Sequence, residues 1–192
     1  MSLTTQVRIS SIADLRDAGP LSNRRALSSL LGDLALTDGV DAGQADQVYT
    51  KSWALGATAS ATIDLSAFVN AVRQDVALLS VKFIAFKAST RNAGSVVVKP
   101  ASAQPWLGPF TASTPALRVE PGGCVLLSNT AGGGWSVDPG TADRLTVENL
   151  SGADAWIDGL IIGIETEPVE LSPTFDSDSF TFDSGDVTWD AA

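Results

Sequence analysis

The sequence predicts a mainly β fold of antiparallel strands, arranged as a sandwich or a closed barrel. From Val48 onward, apolar residues recur at every second position, as in strands that bury one face. Turn signals rich in Gly, Pro and Asp separate these strands at intervals of about ten residues. The 192 residues are 44% hydrophobic and 18% charged, which is typical of a folded chain and not of a disordered one.

Eight or nine strands are expected, and each has a recognisable segment. In chain order the segments are VYTKSWAL, ASATIDL, VKFIAFKA, SVVVK, ALRVE, CVLLS, WSVD, RLTVEN and AWIDGLIIGIE. The third segment is apolar on both faces, which predicts a central position in a sheet. Between Ser66 and Leu79 the apolar residues follow a helical period, which predicts one helix inserted between strands.

The chain divides into three expected regions: an N-terminal arm (1–46), a β-sandwich domain (47–167) and a C-terminal arm (168–192). Short helices are expected in the N-terminal arm, because apolar residues recur there at roughly helical spacing. These residues are Ile12, Leu15, Ala26, Leu27, Leu30 and Leu31.

The last segment, SPTFDSDSFTFDSGDVTWDAA, combines aromatic residues with five Asp and no basic residue. It is too aromatic for a disordered acidic tail, and its second half has the pattern of a hairpin. A lone two-stranded hairpin is only marginally stable in water, so it needs a surface to pack on. We therefore predict that four aromatic side chains bind a neighbouring subunit: Phe175, Phe180, Phe182 and Trp189.

Charge excludes some partners. The net charge is −10 and the pI is near 4.2, so phosphate groups of nucleic acid and anionic lipids would be repelled. We expect neither direct nucleic-acid binding nor membrane binding. The acidic residues Asp176, Asp178, Asp183 and Asp186 could bind calcium, but their spacing departs from the EF-hand pattern. Solvated turn residues are the favoured interpretation, and no metal site is predicted.

Histidine is absent from the whole chain, which removes Ser-His-Asp catalysis, Cys-His catalysis and His-ligated zinc. Carboxylate-pair chemistry stays formally open, with Asp154 and Asp158 or Asp138 and Asp143 as the possible pairs. Asp beside Gly and Pro is, however, what β-turns alone require. The glycines of AGGGW lack the Lys-Ser/Thr of a phosphate loop. We therefore predict no catalytic residues and no cofactor.

Cys124 is the single cysteine, so the chain has no internal disulfide, and we expect this side chain to be buried in a strand. The N-terminus has no secretory pattern, which favours synthesis in a reducing cytoplasm.

The loop QPWLGPF has two interpretations: Trp106 and Phe110 cap the core, or they form an aromatic anchor for a partner or a sugar. The first is favoured, and the second keeps both residues as candidates for partner binding.

Several segments together resemble small virion proteins of tailed phages, of the capsid decoration or cement type. The resemblance covers about residues 36–165 and is carried by a Pro-Gly-Gly turn in RVEPGGCVLLSN, then Gly-Trp-x-Val and Gly-Thr-Ala-Asp in GGGWSVDPGTADRLTVENLSG, and finally IDGLIIGIE. No catalytic residues belong to that group, so none is carried over.

The resemblance implies a jelly-roll-like sandwich that forms a homotrimer on the capsid surface of a virion assembled in the host cytoplasm. Its partner would be the major capsid protein, and its role would be to stabilise the head by bridging coat subunits. Variants of such a domain also serve as head fibres or tail adhesins that bind host-surface carbohydrate, which is the alternative.

Overall fold

The computed structural model describes residues 5–19, 22–70 and 73–165. Thirteen strands occur in these ranges, and all pairs between them are antiparallel. The strands are β1 Thr5–Gly19, β2 Ser22–Leu36, β3 Gln47–Leu55, β4 Ser60–Asp64, β5 Phe68–Val69, β6 Asp75–Val76, β7 Leu78–Ala88, β8 Val96–Pro100, β9 Leu117–Val119, β10 Cys124–Ser128, β11 Trp135–Ser136, β12 Arg144–Asn149 and β13 Ala155–Glu165. The mainly β, antiparallel prediction is confirmed.

Two larger sheets contain most of these strands. The first has the order β10-β7-β13-β3, with β11 pairing beside β10 on the same strand β7. The second has the order β4-β12-β8-β9. The expected central position of VKFIAFKA is confirmed, because β7 lies between β10 and β13.

Both larger sheets contribute side chains to one hydrophobic cluster. The alternation is clearest in β12, where Leu145, Val147 and Asn149 are buried and the residues between them are partly exposed. Burial of this much apolar surface is the main favourable contribution to folding. The cluster includes Trp53, Phe86, Ile157 and Ile161 from the first sheet and Ile63, Val98, Leu145 and Val147 from the second.

The expected helices of the N-terminal arm are not found in its described residues. β1 and β2 instead form a two-stranded hairpin, in register from Thr5 opposite Leu36 to Gly19 opposite Ser22. Each segment satisfies the backbone hydrogen bonds of the other, which a helix would satisfy locally. Ala26 and Leu30 are four residues apart, as are Leu27 and Leu31, and this spacing fits one face of a strand as well as one face of a helix.

The helix expected between Ser66 and Leu79 is also wrong, because the short strands β5 and β6 pair there instead. Arg73 has a φ of 67°, in the left-handed region that a right-handed helix excludes. Asn70 holds the turn together: its backbone N–H donates to the carbonyl of Gln74 at 2.9 Å, and its side-chain oxygen accepts the N–H of Gln74 at 2.9 Å.

Candidate functional site

The outer face of the five-stranded sheet, on the side away from the shared cluster, carries the candidate site. Register places its residues in cross-strand rows. One row is apolar apart from Thr50 and consists of Thr50, Leu160, Ala85 and Leu126. The next row is polar and consists of Ser52, Asp158, Lys87 and Cys124.

One end of this outer face is covered by the chain itself. Leu36, from the end of β2, and Ala45 pack on Phe83 and Ile162, and all four are buried. A backbone hydrogen bond from the N–H of Ala45 to the carbonyl of Thr37, at 2.9 Å, holds the covering segment in place.

Beyond the covered end the outer face is open. A groove of about 500 Å³ runs along it, and we call it the outer groove. Six of its lining residues are Thr50, Ala85, Lys87, Cys124, Leu126 and Asp158. Leu126 is 37% exposed, and Trp156, further along β13, is 45% exposed. The apolar row is thus without a covering segment among the described residues, and an exposed apolar surface is a common property of docking surfaces.

Positive charge lies beside the outer groove in an otherwise acidic chain. Lys87 stands in the polar row and makes no ion pair among the described residues, whereas Lys51 alternates with Thr50 and Ser52 and places its ammonium group over the ring of Trp53 in the shared cluster. Asp158, opposite Lys87, accepts a hydrogen bond from the hydroxyl of Ser52 at 2.5 Å. The polar row can therefore bind an acidic group through Lys87.

A second cavity, of about 570 Å³, lies at the opposite end of the sheet. It is lined by Val40, Leu79, Ile164 and Glu165, among others, and Glu165 is its one charged lining residue. Asp46 accepts the backbone N–H of Glu165 at 2.9 Å. Burial raises the pKa of the Glu165 carboxyl above its usual value, and the negative charge of Asp46 raises the same pKa further.

Lys82 is fully buried beside this cavity. It lies at a register shift between β7 and β13, where Ile162 pairs with Phe83 and the next residue, Gly163, pairs with Val81. Its ammonium group donates a hydrogen bond to the carbonyl of Gly132 at 2.5 Å. Burial lowers the pKa of Lys82, and the negative charge of Asp41 opposes this change. The side chain thereby ties the turn before β11 to the centre of the sheet.

We expect Glu165→Gln to stabilise the protein near neutral pH. Because the folded-state pKa is raised, the folded protein binds this proton more tightly than the unfolded chain does. The stability of the wild type therefore falls as pH rises from the ordinary glutamate pKa of 4.5 through the folded-state pKa. The uncharged amide of the Glu165→Gln variant does not titrate, so the variant does not lose stability in this way. Its oxygen can still accept the hydrogen bond that Gln47 donates to Glu165 at 2.8 Å.

Urea unfolding of both proteins at a series of pH values tests this expectation. The advantage of the variant should shrink as the pH falls below 4.5. An advantage that stays constant over the whole pH range would contradict the role given to this carboxyl.

The loop residues Trp106 and Phe110 are buried, at 0% and 8% exposure, and both belong to the shared hydrophobic cluster. The indole N–H of Trp106 donates to the carbonyl of Ser136 at 2.7 Å. The structure thus favours the core-capping interpretation. Neither side chain is available at the surface as an anchor, because the loop folds back onto the core, and we remove both from the partner-binding set.

The other predicted partner-binding residues, Phe175, Phe180, Phe182 and Trp189, lie outside the described residues, as do the tail aspartates considered for calcium. Cys124 is exposed, so its expected burial is wrong. It lies on the outer side of β10, whose side chains at alternate positions are more exposed. Among the described residues no group of three or more potential metal ligands occurs.

Of the carboxylates considered for catalysis, Asp138 and Asp143 have structural roles in a turn. Asp143 is 1% exposed, and its Oδ2 accepts hydrogen bonds from the hydroxyl of Ser66 at 2.9 Å and the N–H of Gly140 at 2.5 Å. Its partner in the suggested pair, Asp138, belongs to the same turn, where its carbonyl accepts the N–H of Ala142 at 2.8 Å. This arrangement supports the turn interpretation of the pair.

Sequence reasoning did not identify Leu126, Leu160 and Trp156 as surface candidates. The available signal was the presence of apolar residues on both faces of β10 and β13, which shows that a second apolar face exists. That pattern alone does not distinguish a covered face from an open one.

No family model matches the sequence, and no curated protein shows significant similarity to it. Within the part of the chain that the structure describes, no helix is long and apolar enough to span a membrane.

Proposed function

We propose that this protein is a non-catalytic decoration protein of a tailed-phage capsid, with a jelly-roll-like sandwich as its body. In this proposal it assembles as a homotrimer, binds the major capsid protein and bridges neighbouring coat subunits. The likeness of its turn and strand series to such proteins suggests the class. The observation that carries the proposal is the paired N-terminal hairpin.

The hairpin has the properties of an arm that needs a binding surface. β1 and β2 have 15 residues each, so the ribbon is about 50 Å long. Neither strand pairs with a third strand among the described residues. A two-stranded ribbon of this kind is marginally stable alone in water, so a coat-protein surface would stabilise it by burying one face.

The body is suited to holding the arm in place. Leu36, the last residue of β2, is 1% exposed and packs against Phe83 and Ile162 of the five-stranded sheet. Because the base of the ribbon is anchored in this way, a surface that binds the ribbon also holds the body of the protein. Stabilisation would follow mass action, because each bound copy favours the assembled shell and not the free coat protein.

The test is deletion of residues 1–33, which removes most of the ribbon and keeps the anchoring residues Leu34 and Leu36. Shells would be made from the major capsid protein encoded in the same genome, and binding would be measured by co-sedimentation. We expect the full chain to bind and to raise the melting temperature of the shell. We expect the deletion to weaken binding by about 30-fold or more, equivalent to about 2 kcal/mol.

Circular dichroism of the deletion variant serves as the folding control, because the body does not use the ribbon in its two larger sheets. Shell binding that is unchanged by the deletion, or a full chain that does not bind shells, would contradict the proposal.

An adhesin domain of a head fibre or a tail, binding host-surface carbohydrate, is the second candidate. It is favoured by Trp156, which is 45% exposed two residues before Asp158 on the same side of β13. An exposed indole beside a hydrogen-bonding carboxylate is a suitable platform for a sugar ring. A glycan array that gives signal with the wild type and not with Trp156→Ala would support this function.

A further inference from the structure

We infer that residues 172–192 of this chain dock in the outer groove. Three observations support the assignment: the apolar floor of the groove, the positive charge beside it and its distance from Glu165. The inference is independent of the capsid proposal, and its tests require no coat protein.

The floor of the groove suits aromatic side chains. Leu160, Ala85 and Leu126 lie side by side on three adjacent strands and form a continuous apolar row. At about 500 Å³ the groove lies within the range of pockets that enclose most of a bound group. Residues 172–192 contain three Phe and one Trp in 21 positions, so they offer several apolar groups that could fill it.

Charge distinguishes the outer groove from the second cavity. The segment 172–192 has five Asp and no Lys or Arg. Lys87 stands in the polar row of the outer groove, opposite Asp158, which is the one acidic residue among the lining residues. The second cavity is lined by Glu165, which lies beside Asp46, and the nearby Lys82 is fully buried and hydrogen-bonded to Gly132, so the accessible charge there is negative and would repel the segment.

The remaining arginines and lysines of the two larger sheets are less available. Lys99 is paired with Glu148, Arg118 with Glu120 and Arg144 with Asp64. Lys82 is buried. Lys87 is exposed and makes no ion pair within the described ranges, so it can bind an incoming carboxylate without first breaking one.

The segment can reach the groove. Along β13 the five residues from Glu165 back to Leu160 span about 16 Å. Residues 166–174, which precede Phe175, span up to about 30 Å when extended. The groove of the same chain is therefore within reach. In an oligomer, the same segment could enter the groove of a neighbouring copy, and the cross-link described below distinguishes the two.

Cys124 provides a direct measurement, because it lines the groove, is exposed and is the only cysteine of the chain. The rate of maleimide labelling of Cys124 would be compared between the full chain and a chain that ends at Leu171. We expect labelling to be roughly tenfold slower in the full chain, since a tethered segment at millimolar effective concentration occupies even a weak site most of the time.

Two controls isolate the cause. The pair Cys124→Ser and Leu150→Cys moves the thiol to a position that was 51% exposed and does not line the groove, so labelling there should not depend on residues 172–192. In a Lys87→Glu background the ratio of the two Cys124 rates should fall to roughly two, because the charge attraction becomes a repulsion. Equal rates for the full and shortened chains would overturn the inference.

A cross-link gives a second, independent result. Ser179→Cys places a thiol between two Phe positions of the segment and leaves all its aromatic residues in place. Under mild oxidation we expect a disulfide with Cys124, seen as a faster-migrating monomer if the segment docks on its own chain and as a linked dimer if it docks on a neighbour. Failure to form this disulfide under conditions that oxidise the exposed thiols would overturn the inference.

Discussion

Trp106→Ala is expected to lower the free energy of unfolding by about 3–5 kcal/mol, the range found for loss of a large buried aromatic side chain. Trp106 is completely buried and packs edge-on against Trp135, with ring centroids 6.2 Å apart and an interplanar angle of 87°. The substitution removes this contact, leaves a cavity and leaves the carbonyl of Ser136 without its indole donor.

Urea unfolding followed by circular dichroism measures this loss, and Trp156→Ala is the matched control. Trp156 is 45% exposed, so its removal should cost less than about 1 kcal/mol. Similar losses for the two variants would mean that the QPWLGPF loop does not fold back onto the core as described. Trp106→Phe should lie between them, because it keeps part of the packing and loses the hydrogen bond.

Gly163→Ala is expected to cost about 3 kcal/mol, near the upper end of the usual range for overpacking. A Cβ at this position would lie 2.3 Å from the backbone oxygen of Ser80 and 3.0 Å from a methyl group of Leu78. Gly163 lies in β13, at the point where the pairing of β13 with β7 shifts register. Both strands are central in the sheet. Backbone cannot move aside as a flexible side chain can, so the pairing itself must be disturbed.

Gly152→Ala is the matched control, because no atom lies within 4 Å of the Cβ that it would add. Its effect should stay within about 0.5 kcal/mol. Neither glycine has a positive φ, so backbone strain is absent from both variants and the comparison reports on what the added methyl group meets. If Gly163→Ala were as stable as Gly152→Ala, the register shift at this point of the sheet would be wrong.

Two errors in the sequence analysis share one physical cause. In the arm, Ala26 and Leu30 are four residues apart, as are Leu27 and Leu31, and the same spacing joins Phe68, Val72 and Val76 in the segment expected as an inserted helix. A spacing of four falls on one face of a helix and also, being even, on one face of a strand. Pairing of β1 with β2 and of β5 with β6 decides the outcome, and pairing is not a property of either segment alone.

The position of the candidate site could not be predicted from the sequence for a different reason. Apolar residues on both faces of β7 were correctly read as a central strand, and the same pattern in β10 and β13 signals a second apolar face. Which part of that face is open depends on Leu36 and Ala45, which cover Phe83 and Ile162 and stop short of Leu126. The wrong expectation for Cys124 has this origin, because its strand has a covered side and an open one.

Short apolar segments from Val48 to Glu165, alternating in strands such as β4 and β12 and apolar on both faces in β7, together with the Gly and Pro turns, were sufficient to predict an antiparallel β architecture, because these patterns are local to each segment. Absence of histidine likewise ruled out whole classes of catalysis without any coordinates. The position of the outer groove, the burial of Trp106 and the ribbon form of the arm required the folded chain, since each depends on contacts between segments far apart in sequence.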